Sequence, residues 1–214
     1  MKIINPAFEI LSPFEREDAE RMLKHIEKCA RVCYKSEGKT TADSASAFVS
    51  KIAKVFKHES VIEHCSVSVR FVCDRGVSHE LVRHRIAAFS QESTRYCNYS
   101  GERFGEEITL ISPFFFAAVE DLDKRELWLK ACSAAEQSYL GLIALGATAQ
   151  EARSVLPNSL KTEIVMTCNL REWLHVFKLR ASSKAHPQMR ELMLPLLAEF
   201  QRVMPELFAD IEPA

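Results

Sequence analysis

Glycine is scarce in this chain, with only six residues in 214, at positions 38, 76, 101, 105, 141 and 146. None of them forms a Gly-x-Gly-x-x-Gly turn or a Walker loop, the two glycine motifs that hold nucleotide phosphates. If the chain binds a dinucleotide, the Rossmann turn is therefore excluded. Arginines and helix ends would have to hold the phosphates instead.

Long apolar runs and paired cysteines are also missing. No uninterrupted apolar run approaches the roughly 18 residues that a membrane span needs, and the first ten residues, MKIINPAFEI, lack the features of a signal peptide. The seven cysteines include no Cys-x-x-Cys pair and have no regular spacing. We interpret them as reduced thiols, and we expect a cytoplasmic protein without a membrane partner.

A net charge of one sign is missing as well. The formal charge is −1, whereas a general nucleic-acid-binding protein is normally basic. Any anion site must therefore be a local patch, and the arginines between Arg75 and Arg103 form the obvious one. The length of 214 residues and a hydrophobic content of 47% predict one globular domain over residues 1–214.

Hydrophobic periodicity and capping signals predict an α/β (α+β) fold, in which helices flank a small, largely antiparallel sheet. Strands are predicted at Lys2–Ile10, Ser66–Val72, Tyr96–Tyr99, Ile108–Ile111 and Thr162–Cys168. Helices are predicted from a Ser12 capping box to Cys29, at Ala45–Lys57, Ser78–Ile86 and Lys124–Leu145, between Thr148 and Pro157, at Leu170–Arg180, and over the apolar stripe from Met189 to Val203. In the helix at Lys124–Leu145 we expect Leu127, Ala131, Ala135 and Leu142 to face inward.

The segment Arg75–Tyr99, RGVSHELVRHRIAAFSQESTRYCNY, contains four arginines and two histidines. Guanidinium groups present paired donors in one plane, which suits phosphate and carboxylate ligands. Its first part reads as a helix, and Ala87–Thr94 reads as a polar loop. For any single arginine, a solvated basic surface is the simpler interpretation.

The spacing within this segment is more specific than its composition. Arg83-His84-Arg85 is followed by seven residues, then Ser93, then Arg95. This pattern resembles the signature of the flavin-dependent thymidylate synthases. The similarity continues in matching order from about Ala30 to Arg190, through the runs His58–His64, Ala152–Pro157 and Arg180–Arg190.

The resemblance implies the fold of that family and a methyltransferase that makes dTMP for nucleotide biosynthesis. It implies reductive methylation of dUMP, with methylenetetrahydrofolate as the one-carbon donor, FAD as the hydride mediator and NADPH as the reductant. It also implies a homotetramer with active sites at subunit interfaces, where Arg153 reaches the nucleotide of a neighbouring subunit.

The resemblance also implies site residues. By motif position, Arg180 is the catalytic cation that stabilises an enolate-like pyrimidine. The dUMP-binding residues would be Glu80, Arg83, Gln91, Glu92, Ser93, Thr94, Arg95, Arg153 and Arg180. The FAD-binding residues would be Cys33, His58, Ser60, Glu63, Arg83, His84, Arg85, Ile86, Gln91, Asn169, Arg171 and His175. Ser93 is expected to donate to phosphate or sugar, because no base is placed to activate it as a nucleophile.

Several features differ from the family pattern or allow other interpretations. Gln91 stands where many members carry an acid, and Glu80 and His186 stand where glutamine is common. No metal is predicted at His58–His64, because Ile62 breaks the His-Glu-x-x-His spacing. One alternative function is a nucleic-acid-binding module that uses the Arg75–Arg103 patch. Another is a non-catalytic nucleotide-binding scaffold.

Overall fold

The computed structural model describes residues 1–213 and contains both strands and helices. The strands in that range are β1 (Lys2–Ile4), β2 (Ala7–Ile10), β3 (Ser66–Asp74), β4 (Ala88–Gln91), β5 (Thr109–Ile111) and β6 (Lys161–Asn169). The helices are α1 (Arg16–Val32), α2 (Ser44–Ser50), α3 (Arg75–Leu81), α4 (Leu122–Ala144), α5 (Ala149–Ala152), α6 (Leu170–Arg180), α7 (Pro187–Val203) and α8 (Pro205–Phe208). Several 3₁₀ turns connect them, including Glu59–His64 and Arg153–Val155.

The strands form two small sheets. The larger has the order β2-β3-β6-β4, and the smaller pairs β1 with β5 in parallel. Strands β3 and β6 pair in antiparallel orientation. The Leu170 N–H donates a hydrogen bond to the Cys65 carbonyl, and the hydroxyls of Ser68 and Thr167 are hydrogen-bonded, so residue numbers rise along one strand as they fall along the other. The predicted fold class is confirmed. The single strand predicted at Lys2–Ile10 is wrong, since Asn5-Pro6 separates β1 from β2 and proline offers no N–H to a ladder.

The chain divides into two compact units. The first unit contains Met1–Ala7, Phe71–Arg83 and Ser90–Ile164, and the second contains Phe8–Arg70, His84–Phe89 and the chain from Val165 onward. Strands β3 and β6 each continue from one unit into the other along the chain. The signature segment is therefore divided: Arg83 belongs to the first unit and His84 to the second.

The core of the second unit is aromatic. Phe200 of α7 lies 4.4 Å from Phe14, 5.0 Å from Phe177 and 5.4 Å from Trp173, measured between ring centroids. The indole N–H of Trp173 donates a 3.1 Å hydrogen bond to the carbonyl of Val67, so its polar atom is satisfied in the core. These contacts hold α6, which carries several of the predicted site residues, against the sheet.

The core of the first unit forms on a face of α4 that we predicted only in part. Of the four residues expected to face inward, Leu142 packs against this core and Ala135 is partly buried. Cys132 and Tyr139 are the buried residues of this helix, whereas Leu127 and Ala131 are exposed. Apolar residues occur around most of the circumference of α4, so its periodicity does not select one face. The packing partners decide instead, and Tyr139 lies against Tyr99 with ring centroids 5.7 Å apart.

Three other local predictions were wrong because tertiary contacts overrode sequence patterns. Helix α1 starts with a capping box of Glu15 and Asp18 rather than Ser12, whose hydroxyl accepts from the Ser68 N–H. The helix predicted at Ala45–Lys57 is regular only to Ser50, and a wider turn follows. Residues 96–99 form turns rather than a strand.

Other predictions are confirmed. Val67, Val69 and Phe71 point into the core from β3, as their alternation predicted. The predicted stripe on α7 is buried along its length, and the Thr148–Glu151 capping box starts α5. Among residues 1–213, no helix is both long and apolar enough to cross a membrane.

Candidate active site

Helix α3 ends before the arginines of the signature. Asp74 caps its start by accepting a 2.7 Å hydrogen bond from the N–H of Val77. The helix was predicted to reach Ile86, but it ends at Leu81. Position 85 is an arginine, so no apolar side chain extends the buried face beyond Leu81, and burial provides most of the stability of a short helix.

Residues 88–91, predicted as part of a loop, form strand β4. The strand pairs with β6, and the next residue continues this pairing through a 2.8 Å hydrogen bond from the Glu92 N–H to the Glu163 carbonyl. Small and polar residues have weak strand propensity, so tertiary pairing decides their conformation. The signature serine, Ser93, follows directly after this paired segment.

His84, a signature residue of the second unit, has a hydrogen-bond partner at each of its two ring nitrogens. It is buried, its Nδ1 lies 3.1 Å from Oε1 of Glu172, and its Nε2 accepts a 3.1 Å hydrogen bond from Nε of Arg180. The ring of His175 lies edge-on at 5.7 Å. Burial lowers the pKa of His84; the hydrogen bond to Glu172 opposes this shift, and the charge of Arg180 adds to it.

His84, Glu172 and His175 also form a geometric group of possible metal ligands, with one ligand atom from each lying within 4.8 Å of the others. The guanidinium of Arg180 donates a hydrogen bond to Nε2 of His84, so this nitrogen has no lone pair left for a metal ion. The guanidinium also places a fixed positive charge beside the group. A neighbouring cation disfavours a metal ion. We therefore assign these side chains to hydrogen bonding.

A cavity of about 450 Å³ opens beside this cluster in the second unit. Four of the predicted flavin residues line it, namely Ile86, Asn169, Arg171 and His175, together with Glu59, Glu172, Leu174 and Lys178. The side chain of Asn169 caps α6 by accepting a 2.9 Å hydrogen bond from the Glu172 N–H. The lining thus combines two cationic side chains, two acidic side chains, a capped helix start and apolar surface.

Most of the other predicted flavin residues of the second unit lie outside this cavity. Arg171 forms a 2.6 Å ion pair with Glu63 and approaches Glu59 at 3.4 Å, so two predicted residues meet there. The side chains of four others are exposed and do not line the cavity: Cys33, His58, Ser60 and Arg85.

In the first unit, Glu92 is held on both carboxylate oxygens. Tyr99 donates its phenol proton to one oxygen at 2.9 Å, and Lys161 donates to the other at 2.9 Å. Burial disfavours the charged form of Lys161, but its hydrogen bonds to Glu163 and Glu92 outweigh this effect and raise its pKa. Burial, together with the charge of Glu92, raises the pKa of Tyr99. Lys161 is therefore charged at neutral pH.

A second cavity, of about 490 Å³, lies in the first unit. Thr94 and Arg153 line it, and Nη1 of Arg153 donates a 3.4 Å hydrogen bond to the Thr94 hydroxyl. Arg75 and His79 add basic side chains to its lining. The predicted nucleotide residues Thr94 and Arg153 thus meet at a site rich in donors, which suits an anionic group.

The remaining predicted nucleotide residues lie around the same part of the chain. Gln91 donates hydrogen bonds to the hydroxyls of Ser78 and Thr162. Arg83 and Arg95 are exposed, whereas Ser93 and Glu80 are partly buried. Gln91 is thus held in place by its neighbours, and both arginines have guanidinium groups open to a ligand.

Sequence reasoning missed several residues of these clusters, including Glu172, Lys161 and Tyr99. Glu172 follows three residues after its N-cap Asn169 and looks like an ordinary first-turn acid. No local signal marks it as the partner of a histidine 88 residues earlier in the chain. Lys161 lies one residue before the predicted strand, where a lysine reads as solvated.

Comparisons with known proteins show the family of this chain. A family model described as "Thymidylate synthase complementing protein" matches residues 17–206. The flavin-dependent thymidylate synthase of Geobacter sulfurreducens is 37% identical over 191 residues, covering 86% of this chain and 79% of that protein. The corresponding protein of Mycobacterium tuberculosis is 34% identical over 205 residues, with coverages of 87% and 78%. The chain belongs to the flavin-dependent thymidylate synthase family.

Two solved structures show that this family member has the expected fold. A UMP/dUMP methylase from Streptomyces cacaoi, bound with 5-Br dUMP, has a TM-score of 0.78 at 19% identity and covers 98% of this chain and 96% of its own. Thymidylate synthase X from Helicobacter pylori, solved with FAD and dUMP, has a TM-score of 0.71 at 21% identity, with coverages of 95% and 99%. The predicted flavin-dependent thymidylate synthase fold is confirmed.

Proposed function

We propose that this member of the flavin-dependent thymidylate synthase family converts dUMP to dTMP. Methylenetetrahydrofolate donates the one-carbon unit and NADPH is the reductant. The observation that carries the proposal is the cavity of the second unit, where Ile86, Asn169, Arg171 and His175 come together. All four match positions of the family's flavin contacts, although they come from two distant segments of the sequence.

The lining of this cavity fits FAD. Its volume of about 450 Å³ lies in the range of small-molecule sites, which is about 300–1,000 Å³. Arg171 and Lys178 provide cations for a diphosphate, while Ile86 and Leu174 provide apolar surface for a ring. When bound, FAD supplies the hydride that turns the transferred carbon into a methyl group.

The first unit supplies the groups that bind dUMP in this proposal. A nucleotide monophosphate is a dianion, and the second cavity offers the guanidinium groups of Arg75 and Arg153 with the hydroxyl of Thr94. Exposed Arg83 and Arg95 add further paired donors, and Ser93 donates to phosphate or sugar. These groups orient the nucleotide, and fixed orientation lowers the entropic part of the barrier.

Arg180 is the proposed catalytic residue. Its guanidinium stabilises negative charge that develops on the pyrimidine when carbon 5 becomes nucleophilic. Arginine cannot lose its proton near neutral pH, so this stabilisation is electrostatic and needs no proton transfer by the side chain. The Nε of Arg180 donates a hydrogen bond to Nε2 of His84, which orients the guanidinium.

The assembly, domain and compartment follow from the same proposal. We place residues 1–214 in one catalytic domain, because the flavin and nucleotide residues are distributed over both units. The homotetramer is supported by large apolar side chains that stay exposed in the first unit, among them Val119, Leu122 and Leu127. A cytoplasmic location is supported by seven free thiols.

The alternative of a nucleic-acid-binding module has no support in the site. Arg75, which begins the basic patch, hydrogen-bonds the Glu92 carbonyl and the Thr162 hydroxyl. One guanidinium of the patch is thus partly engaged within the protein, and the overall charge is −1. A nucleic-acid surface needs a row of free cations for phosphate contacts.

The decisive experiment combines colour and turnover. The purified protein is expected to be yellow, to lose its flavin absorbance on anaerobic addition of NADPH, and to form dTMP only when dUMP, methylenetetrahydrofolate and NADPH are all present. In Arg180→Ala, FAD should stay bound while product formation falls severely. Colourless protein that cannot be reconstituted with FAD, or unchanged turnover in Arg180→Ala, would contradict the proposal.

A further inference from the structure

The two hydrogen bonds of His84 define its tautomer. Arginine has only donors, so the Nε2 atom that receives the bond from Arg180 must carry a lone pair and no proton. The single proton of the neutral ring therefore sits on Nδ1, which lies 3.1 Å from Oε1 of Glu172 and donates to it. Glu172 thus holds His84 in the one neutral form that can accept from Arg180.

Helix α6 presents both partners of this histidine. Glu172 and Arg180 are eight residues apart, which corresponds to about 12 Å along a helix axis, and they share one face of it. The side chain of His84 bridges them from outside the helix. Because Asn169 caps the first turn at the Glu172 N–H, the Glu172 end of the bridge has a defined position.

Burial restricts the His84 ring to this orientation. Glu172 is 8% exposed and His84 is 4% exposed. A buried ring nitrogen without a partner costs free energy, so the Nδ1 proton keeps its acceptor and the ring keeps its orientation. The same relationship, an acid that orients a histidine which in turn contacts a working group, is well known in hydrolytic triads.

We propose that Glu172 is a positioning residue for Arg180: it sets the tautomer and orientation of His84, and His84 in turn fixes the direction of the Arg180 guanidinium. This inference rests on the proposed function, since it assigns Arg180 to the pyrimidine. Glu172 itself lies outside the Arg83–Arg95 pattern, whereas His84, through which it acts, belongs to that pattern.

The pKa of His84 is consistent with this role. Burial lowers it, the hydrogen bond to Glu172 raises it, and the charges of Arg180 and His175 lower it. All three of these residues belong to α6. A protonated His84 cannot accept from Arg180, so the working state is the neutral ring, and acid should disrupt it.

The test is a graded series at Glu172, assayed at saturating FAD because Glu172 also lines the flavin cavity. Glu172→Met keeps volume and helix propensity but removes the acceptor, whereas Glu172→Gln keeps an acceptor oxygen without the charge. We expect kcat to fall about 10-fold to 100-fold in Glu172→Met, the range seen when outer partners that orient metal ligands are removed. Glu172→Gln should fall less, and KM for dUMP should change little in both.

A pH profile separates positioning from a general structural role. Glu172→Gln removes the charge that raises the pKa of His84, so the acid limb of kcat should move to lower pH. Glu206→Gln is the matched control, because the side chain of Glu206 is 8% exposed and pairs with Arg16 in the same unit at 2.6 Å. We expect this control to lose stability while kcat and the acid limb stay unchanged.

Three outcomes overturn the inference. The first is wild-type kcat in Glu172→Met, and the second is a reduced kcat with an unmoved acid limb in Glu172→Gln. The third is an equal fall of kcat in Glu206→Gln. Failure of the proposed function looks different, because the wild-type protein would then form no dTMP from dUMP at all.

Discussion

Lys161 and Glu92 form a 2.9 Å ion pair that ties β6 to the residue following β4. Tyr99 donates to the other oxygen of the same carboxylate at 2.9 Å, and Glu163 accepts from Lys161 at 2.7 Å. The peptide that leads into Ser93 is therefore held by a strand outside the signature. The geometry of the nucleotide segment depends on residues outside the Arg83–Arg95 pattern.

Replacing Lys161 with methionine tests this dependence. The Glu92 carboxylate would lose its cation while remaining mostly buried, with 13% of its side chain exposed. Loss of one partner of a buried polar group costs about 1–3 kcal/mol. We expect the free energy of unfolding in urea to fall by that amount and KM for dUMP to rise, with FAD content unchanged.

Lys124→Met is the matched control for Lys161→Met. Lys124 of α4 pairs with Asp121, the residue just before the helix, but 65% of the Lys124 side chain is exposed, and exposed pairs contribute about 0–1 kcal/mol. Stability and KM should stay near the wild-type values in this variant. Equal effects at Lys124 and Lys161 would show that the Glu92 network has no special part in nucleotide binding.

Substitutions at Asn169 separate helix capping from flavin binding. Asn169→Ala removes the cap of α6 and should cost about 0.5–2 kcal/mol of unfolding free energy. Asn169→Ser retains a capping oxygen and should restore most of that stability. If the amide contacts FAD, both variants bind FAD more weakly in a flavin titration. Normal FAD affinity in Asn169→Ser would limit Asn169 to its capping role.

Glu206 links the stability of the second unit to pH. Burial alone would raise its pKa, but hydrogen bonds from Arg16 and Ser46 outweigh this and lower it. Above the unfolded-state pKa of about 4.3, the charged carboxylate contributes its full stabilisation. That contribution is lost as pH falls through the lower folded-state value, because the unfolded chain binds the proton first.

Urea unfolding of the wild type and Glu206→Gln measures this contribution. The wild type should be the more stable protein near neutral pH, and the difference should shrink as pH falls below about 4.3. A difference that stayed constant down to acid unfolding would show that the Arg16–Glu206 pair makes no titrating contribution.

A mixing experiment tests the shared active site of the proposed homotetramer. Arg153→Ala and Arg180→Ala should each be nearly inactive while retaining FAD. If Arg153 of one subunit completes the site that contains Arg180 of another, dissociating and reassembling the two variants together should restore part of the activity. Mixed tetramers that remain inactive would place Arg153 and Arg180 in a site made by one subunit.

Elements whose signals are local were predicted well from the sequence. The alternation in β3 needs only a sheet with one buried face, and the Thr148–Glu151 box closes within four residues. The Arg83–Arg95 spacing predicted the family, which the comparisons confirm. Each of these signals is short in sequence and independent of distant partners.

The errors occurred where a segment had several acceptable structures. Residues 88–91 have weak propensities and become a strand because β6 offers an edge. Helix α4 has apolar residues on several sides, and the side that packs against the ring of Tyr99 is the one that is buried. In both segments, the energy of long-range pairing exceeded the small local preference.

By itself, the sequence determined the family, the fold class and most of the candidate ligand-binding residues, because the arginines, histidines and capping residues follow short, regular spacings. Only the tertiary structure decided which of them meet: four of the predicted flavin residues in one cavity, Glu92 with Lys161, and His84 between Glu172 and Arg180. The physical reason is that these hydrogen bonds join residues dozens of positions apart. A buried polar group must form its hydrogen bonds within the protein, and packing determines which partners lie close enough.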